Sequence, residues 1–199
     1  MNQAIQEQPG TKTTERPLYS PGLEGVIAGE SALCQVDEGE AGLRYRGYAI
    51  GDLAKWSRFE EVAYLLLIGH LPTRSELDSF STLLRGHRVL PDPVQRFIDS
   101  LQPGLHPMDV LRTGISLLGL SDPDAQDGSH EANLRKSMRL LSQIPLLIAH
   151  SYRVMSGILP PRQDESRDFA QHLLHLVAGH KDGETGTAMA QALNVSLIL

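Results

Sequence analysis

The sequence predicts a mainly α-helical fold preceded by a small β-ribbon, and three observations carry this reading. From Ile50 onward apolar residues recur at spacings of three and four, the period of one buried helical face. Most of these segments open on a start signal, such as Thr73 with Glu76 or Asp92 before Pro93. Before Ile50 the pattern differs: Gly22, Gly25 and Gly29 punctuate the chain, and two short runs flank a turn.

Met1 to Pro17 is rich in Gln, Thr, Glu and Pro and has no apolar run, so residues 1–17 are expected to be a disordered tail ahead of a helical domain over 18–199. Ser31 to Val36 and Leu43 to Tyr45 are expected strands around a Glu38-Gly39-Glu40 turn. Ser57 and Glu60 are placed for a capping box, each side chain taking up an unpaired backbone N–H, ahead of Val62, Ala63, Leu66 and Leu67. Gly69 ends that helix. Thr73 and Glu76 repeat the device, followed by Leu77, Phe80, Leu83 and Leu84, with Gly86 as the stop. Asp92 is expected to cap a helix with Pro93 in its first position and Val94, Phe97, Ile98 and Leu101 as its inner stripe, broken by Pro103-Gly104.

His106-Pro107 opens the next helix, in which Met108, Leu111, Ile115 and Leu118 form the seam expected where one helix lies along another. The longest helix, about Ser129 to Met155, carries Leu134, Met138, Leu141, Ile148 and Tyr152 as apolar positions and Pro145 as an expected kink. Two more helices are expected over about Glu165 to Ala178 and Thr185 to Leu199. The last finishes on Val195-Ser196-Leu197-Ile198-Leu199 with no Gly, Asn, Pro or basic residue to close it, which predicts a larger protein cut within an element and chemistry lying beyond Leu199.

With 199 residues, 41% of them apolar and 21% charged, the chain has the composition of a globular protein and the length for a sizeable core. A net charge of -6 argues against a general binder of nucleic acid or anionic membrane. The runs Tyr64 to Ile68 and Ile144 to Ala149 fall far below the ~20 residues that span a bilayer. The start of the chain has no signal-peptide core, and a cytoplasmic location is the expectation. The single Cys34 cannot form an internal disulfide and is expected to be a buried, inert thiol.

Candidate chemistry is sparse. His172 and His175 lie three apart on a helix with His180 just beyond, but the neighbourhood offers no carboxylates or cysteines to complete a metal shell, so a packing or solvated cluster is expected. Gly22, Gly25 and Gly29 fit neither G-x-G-x-x-G nor a P-loop. Arg44 and Arg46 alternate with Leu43 and Tyr45, so on a strand both guanidinium groups would face one side, either as an anion clamp or, as expected here, in a solvated or ion-paired role. Asp37, Glu38 and Glu40 read as surface charges of a turn, and no G-x-S-x-G elbow is present.

Taken in order, Gly22-Leu23-Glu24-Gly25-Val26-Ile27-Ala28-Gly29-Glu30, Leu43-Arg44-Tyr45-Arg46-Gly47-Tyr48-Ala49-Ile50, Phe59-Glu60-Glu61-Val62-Ala63-Tyr64-Leu65-Leu66, Leu71-Pro72-Thr73 and His106-Pro107-Met108-Asp109-Val110-Leu111-Arg112-Thr113 closely resemble the N-terminal half of bacterial citrate synthases. The resemblance covers about Pro21 to Leu199. It implies the first, incomplete part of a large helical domain and a dimer that packs helices across the subunit interface, with His106 to Gly119 and Ser129 to Met155 matching the dimer helices. It also implies acetyl-CoA and oxaloacetate as substrates of the complete enzyme, with no separate cofactor, and either a homodimer or a complementing C-terminal half as partner.

In the family the apolar run is followed by a His-Ala-Asp-His segment that supplies an oxaloacetate-binding histidine. A second catalytic histidine, the aspartate and the substrate-binding arginines come later. None of these has a matching position before Leu199, so no catalytic, substrate-binding or metal-binding role is assigned to His106, His172, His175 or His180. The resemblance implies a Claisen-type condensation in which an aspartate takes a proton from the acetyl-CoA methyl group and a histidine stabilises the enol. The enol then attacks a polarised oxaloacetate carbonyl, and citryl-CoA is hydrolysed. A 2-methylcitrate synthase using propionyl-CoA and a non-catalytic helical partner subunit are the alternatives.

Overall fold

The protein is described by a computed structural model that places residues 22, 25–27, 29–36, 42–159, 161, 164, 166–179 and 183–199. The expected tail, the Glu38-Gly39-Glu40 turn and His180 lie outside the described residues. The chain divides into two units, Met1–Ala32 and Leu33–Leu199. In the first, Val26 and Ile27 are exposed. The elements below belong to the second.

Strands β1 (Cys34–Val36), β2 (Leu43–Tyr45) and β3 (Tyr48–Ala49) form an antiparallel sheet in that order. Cys34 lies opposite Tyr45 and Val36 opposite Leu43. The two-residue β3, too short to show alternation, exists because of the turn before it. Arg46 and Gly47 both have positive φ, 48° and 89°, as a type I′ hairpin turn requires. Arg46 therefore leaves the strand, so the alternation that would align it with Arg44 does not apply. All of β1 is exposed, including Cys34, which corrects the expectation of a buried thiol: β1 is an edge strand of the sheet and leaves its side chains in water.

Helices α1 (Ile50–Trp56) and α2 (Phe59–Ile68) meet at Ser57-Arg58. The expected Ser57/Glu60 box is displaced by one residue. Glu61 Oε2 accepts from Arg58 N at 2.8 Å, and the arginine side chain, a donor only, cannot return the bond. Ser57 closes α1 instead. Asn194, from the far end of the chain, takes over the junction: its Oδ1 accepts from Phe59 N at 2.8 Å and its Nδ2 donates to Ser57 O at 3.1 Å. A tertiary partner thus overrides the local signal, and Glu60 is freed to turn inward, 7% exposed.

Helix α3 (Arg74–Gly86) has the expected Thr73/Glu76 box, with Thr73 N donating to Glu76 Oε2 at 2.7 Å and Glu76 N to Thr73 Oγ1 at 3.4 Å. Phe80 and Leu84 are buried, whereas Leu83 is exposed. Helix α4 (Asp92–Asp99) takes Pro91 as its N-cap, which places Asp92 inside the first turn, where the helix dipole favours a carboxylate. Val94 and Ile98 are fully buried.

In α5 (Pro107–Leu120), His106 Nδ1 accepts from Met108 N at 3.3 Å. The buried face is Val110, Gly114 and Leu118 rather than the seam through Met108, Leu111 and Ile115. The cause is Gly114, whose missing side chain lets Leu147 approach the backbone. The 26-residue α6 (His130–Met155) runs uninterrupted through the buried Pro145. Its second half buries Leu146, Leu147 and Ala149, whereas Ile148 and Tyr152, two of the apolar positions read from the sequence, are exposed. Helix α7 (Phe169–Ala178) starts four residues later than expected because Asp168 caps it, accepting from Gln171 N at 2.8 Å. Helix α8 (Gly183–Ile198) completes the order.

Helix α6 is the axis of the core. Its Leu147 joins Val94, Ile98, Val110 and Leu118 of α4 and α5. Its Met138 and Leu141 pack on Ala63, Phe80 and Leu84 of α2 and α3. Its Leu146 and Ala149 meet Leu176 of α7. A separate cluster of Leu53, Val62, Leu65 and Ile198 ties α8 to α1 and α2. Each fully buried leucine of this kind stabilises the fold by roughly 1.5–3 kcal/mol. Among the described residues no helix is long and apolar enough to cross a membrane.

Candidate functional site

The histidines singled out by spacing lie inside the fold. His172 is 4% and His175 9% exposed, both on the inner face of α7. Burial, with the nearby charges of Arg88 and His175, pushes the His172 imidazole down to about 4, so the neutral ring is the resident form at neutral pH. His175 borders a polar depression of about 190 Å³ between α7 and α8, with Arg167, Gln171 and Thr187, and His172 is not in its wall. Among the described residues no group of three His, Cys, Asp or Glu could hold a metal ion. Both rings lie inside the fold on α7, and His106 Nδ1 caps the first turn of α5.

Arg44 and Arg46 do not form a clamp. Arg44 Nη1 donates to Gly47 O at 3.1 Å, bracing the hairpin turn, and Arg46 Nη2 donates to Leu66 O at 3.3 Å, near the end of α2. Ser196 is exposed and donates to Ala192 O at 2.9 Å, within its own helix. A surface His70–Glu76 pair, 3.4 Å apart, sits at the α3 cap. Hydrogen bonds from the Thr73 backbone and hydroxyl, with His70 adding to them, hold Glu76 down at about 2.

The strongest polar features are ones that spacing did not bring out. Glu60 Oε1 accepts from Phe169 N at 2.7 Å, fixing the start of α7 from α2. Burial raises this carboxyl above its usual range, against the lowering effect of the Phe169 bond. At the other end of α7, Arg153 Nη1 donates to Leu176 O at 3.3 Å and Val177 O at 3.0 Å, serving carbonyls the helix leaves open. Arg139 donates to both Asp122 and Asp124, and Arg135 to Asp124, pinning the connection before α6. The signal for this network was present in the sequence as Arg135 and Arg139, one helical turn apart, behind two aspartates. The signal for Glu60 and Asn194 was not, since their partners are 109 and 135 residues away.

Apolar grooves lie open among the described residues. One, of about 310 Å³, lies between α5 and α6 and is walled by Met108, Leu111, Ile148, Tyr152 and Met155. Another, of about 690 Å³, lies among α2, α6, α7 and α8. At their openings the apolar side chains stand outward, Met108 of α5 at 61% and Tyr152 of α6 at 47% exposure. The described residues thus offer a braced helical scaffold with open apolar faces, with its candidate histidines buried or used in capping.

The comparisons with known proteins agree with such a scaffold. Residues 22–199 match the family described as "Citrate synthase, C-terminal domain". The chain is 38% identical over 185 residues to a 2-methylcitrate synthase of Shewanella oneidensis, covering 92% of this chain and 48% of that protein. It is 36% identical over 180 residues to a citrate synthase of Deinococcus radiodurans, covering 89% and 46%. The fold superposes on the crystal structure of citrate synthase from Thermotoga maritima with a TM-score of 0.75 at 30% identity, over 89% of this chain and 45% of that one. For the citrate synthase of Pyrobaculum aerophilum the TM-score is 0.79 at 27% identity, over 97% and 51%. The chain spans about half the length of these relatives. With the profile match running through nearly all of the described residues and the helical architecture matching in three dimensions, the chain belongs to the citrate synthase family.

Proposed function

We propose that this chain is the helical scaffold of an enzyme that condenses acetyl-CoA with oxaloacetate and water to give citrate and CoA, and that the chain alone lacks the active site. The family match over residues 22–199 carries the proposal. The burial of His172 and His175, 4% and 9% exposed, supports its second half. Deprotonating the methyl group of a thioester needs a positioned base and a donor on the developing enolate oxygen. These are worth about 10²–10⁴-fold and 10²–10³-fold in rate. In this proposal both come from the complementing half of the enzyme.

Propionyl-CoA in place of acetyl-CoA, giving 2-methylcitrate, is the second reading, favoured by the 38% identity to the proteins of Shewanella oneidensis and Mycobacterium tuberculosis that carry that name. The α5–α6 face, with Met108, Ile148 and Tyr152 exposed, supports pairing with a second copy. The acidic balance of the chain supports a soluble, cytoplasmic enzyme. The assembled enzyme, assayed for CoA release with oxaloacetate, should show a higher kcat/KM for acetyl-CoA than for propionyl-CoA. The opposite ratio would replace the first reading with the second, and no release with either thioester would reject both.

A further inference from the structure

We propose that α7 is an acid-released latch: a proton taken up by His172 undocks this helix from α6 as a unit and widens the apolar groove it walls, while α4 and α5 stay folded. The geometry behind this is a cluster of nitrogen-bearing side chains closed inside the fold, His172 and His175 of α7, Arg153 of α6 and Arg88 between α3 and α4, all buried. Among the described residues neither ring nitrogen of His172 meets a hydrogen-bond partner. A second N–H on that ring would have no acceptor, and its charge would stand away from water with Arg88 and His175 repelling it. A buried charge without a partner is among the costliest groups a fold can hold. The surrounding carboxylates are already engaged. Asp164 accepts from Ser166 and Arg167, Asp168 from Gln171 N and, on the α2 side, Glu60 from Phe169 N, with Arg58 beside it. Asp164 favours a charged ring, but by less than burial, Arg88 and His175 oppose it. On the α6 side Arg153 serves carbonyls of α7, with His150 next to it, and Glu184 of α8 is exposed.

Packing makes the release local. Helix α7 meets α6 through Leu176 against Leu146 and Ala149 and has no side chain in the cluster that joins α4 and α5 to α6. Gly157 and Gly179, at φ 66° and 77°, bracket the helix with backbone that turns freely. The far end of α8 is held separately, by Ile198 and Asn194 on α1 and α2, so α7 can leave without carrying it away. Phe169 and Leu173 of α7 line the groove of about 690 Å³, and their departure opens its wall. Elements of this kind open below the free energy of global unfolding.

The docked ring is held down at about 4 and the released ring returns to its ordinary 6.5, so opening takes up a proton and is favoured as pH falls. Between pH 7 and pH 5 these values raise the opening equilibrium of α7 by about twentyfold. Glu60 acts in the opposite sense, because burial raises its carboxyl and opening would release that proton. Glu60→Gln removes this titration and keeps an acceptor for Phe169 N. The test is amide hydrogen exchange of the 199-residue Glu60→Gln chain at pH 7 and pH 5, corrected for the intrinsic effect of pH on exchange. The expected result is an opening equilibrium about twentyfold larger at pH 5 for the amides of α7 and unchanged for those of α4 and α5. Adding His172→Gln should abolish the response, and adding His175→Gln should preserve it. The unmodified chain should move in the same direction by a smaller factor, which decides the matter where a variant fails to fold. An α7 that opens no further at pH 5, a response shared equally by α4 and α5, or one that survives His172→Gln overturns the proposal.

Discussion

A methyl group at Gly114 would lie 2.5 and 2.6 Å from the two Cδ atoms of Leu147, closer than carbon atoms tolerate. Gly114→Ala should therefore force α5 away from α6 and lower the unfolding free energy by about 1–3 kcal/mol, read from the denaturant midpoint at unchanged slope. His172 sets a pH dependence through the burial of its neutral ring. Its folded value is depressed from 6.5 to about 4, so between those values the unfolded chain binds more protons than the folded one. Stability from keeping the ring neutral is complete above about pH 6.5 and is lost as pH falls toward 4. In His172→Gln this slope should flatten in equilibrium unfolding measured between pH 4 and 7. The Asp122 and Asp124 carboxylates, held below 3.8 with Arg139 shared between them, act in a lower window and lose their contribution only in stronger acid.

At the scale of elements, Asn194 adds a polar tie between α8 and the α1–α2 junction to the apolar one made by Ile198. Asn194→Ala would leave the half-buried Phe59 N–H and the Ser57 carbonyl without this partner, at a cost of about 1 kcal/mol. The loss should appear as faster amide exchange at the start of α2, with α4 and α5 unaffected, and uniform exchange changes across all helices would contradict the assigned role. The same residue shows where sequence legibility stops. Thr73 and Glu76 were readable because both halves of their bond lie within four residues. Ser57 and Glu60 carried an equally good local signal, yet the cap moved one residue because Asn194, 135 residues downstream, supplies the junction. The face by which α5 packs on α6 was not read for a related reason: periodicity marks apolar stripes, and these helices have two, one packed through Gly114 and Leu147 and one open at Met108 and Tyr152. The hairpin turn at Arg46-Gly47 was missed because positive φ at an arginine has no compositional sign.

Across the whole molecule, helices are anchored by polar contacts at their ends, buried from Glu60 to Phe169 and from Arg153 to Leu176 and half-buried from Asn194 to Phe59, while broad apolar faces stay open. That combination suits a scaffold built to be completed by further polypeptide. It also accounts for how little of a site could be read in the sequence: the family was legible in five ordered segments, whereas the histidines that drew attention proved to be a helix cap and two interior residues of α7. The central claim is that this chain holds the fold's first part and not its chemistry. The measurement that tests it most directly is CoA release by the purified 199-residue chain alone, with oxaloacetate and either acetyl-CoA or propionyl-CoA. The account predicts no release above the uncatalysed background with either thioester. Saturable, oxaloacetate-dependent release at an enzymatic rate would contradict it and place an active site within these residues.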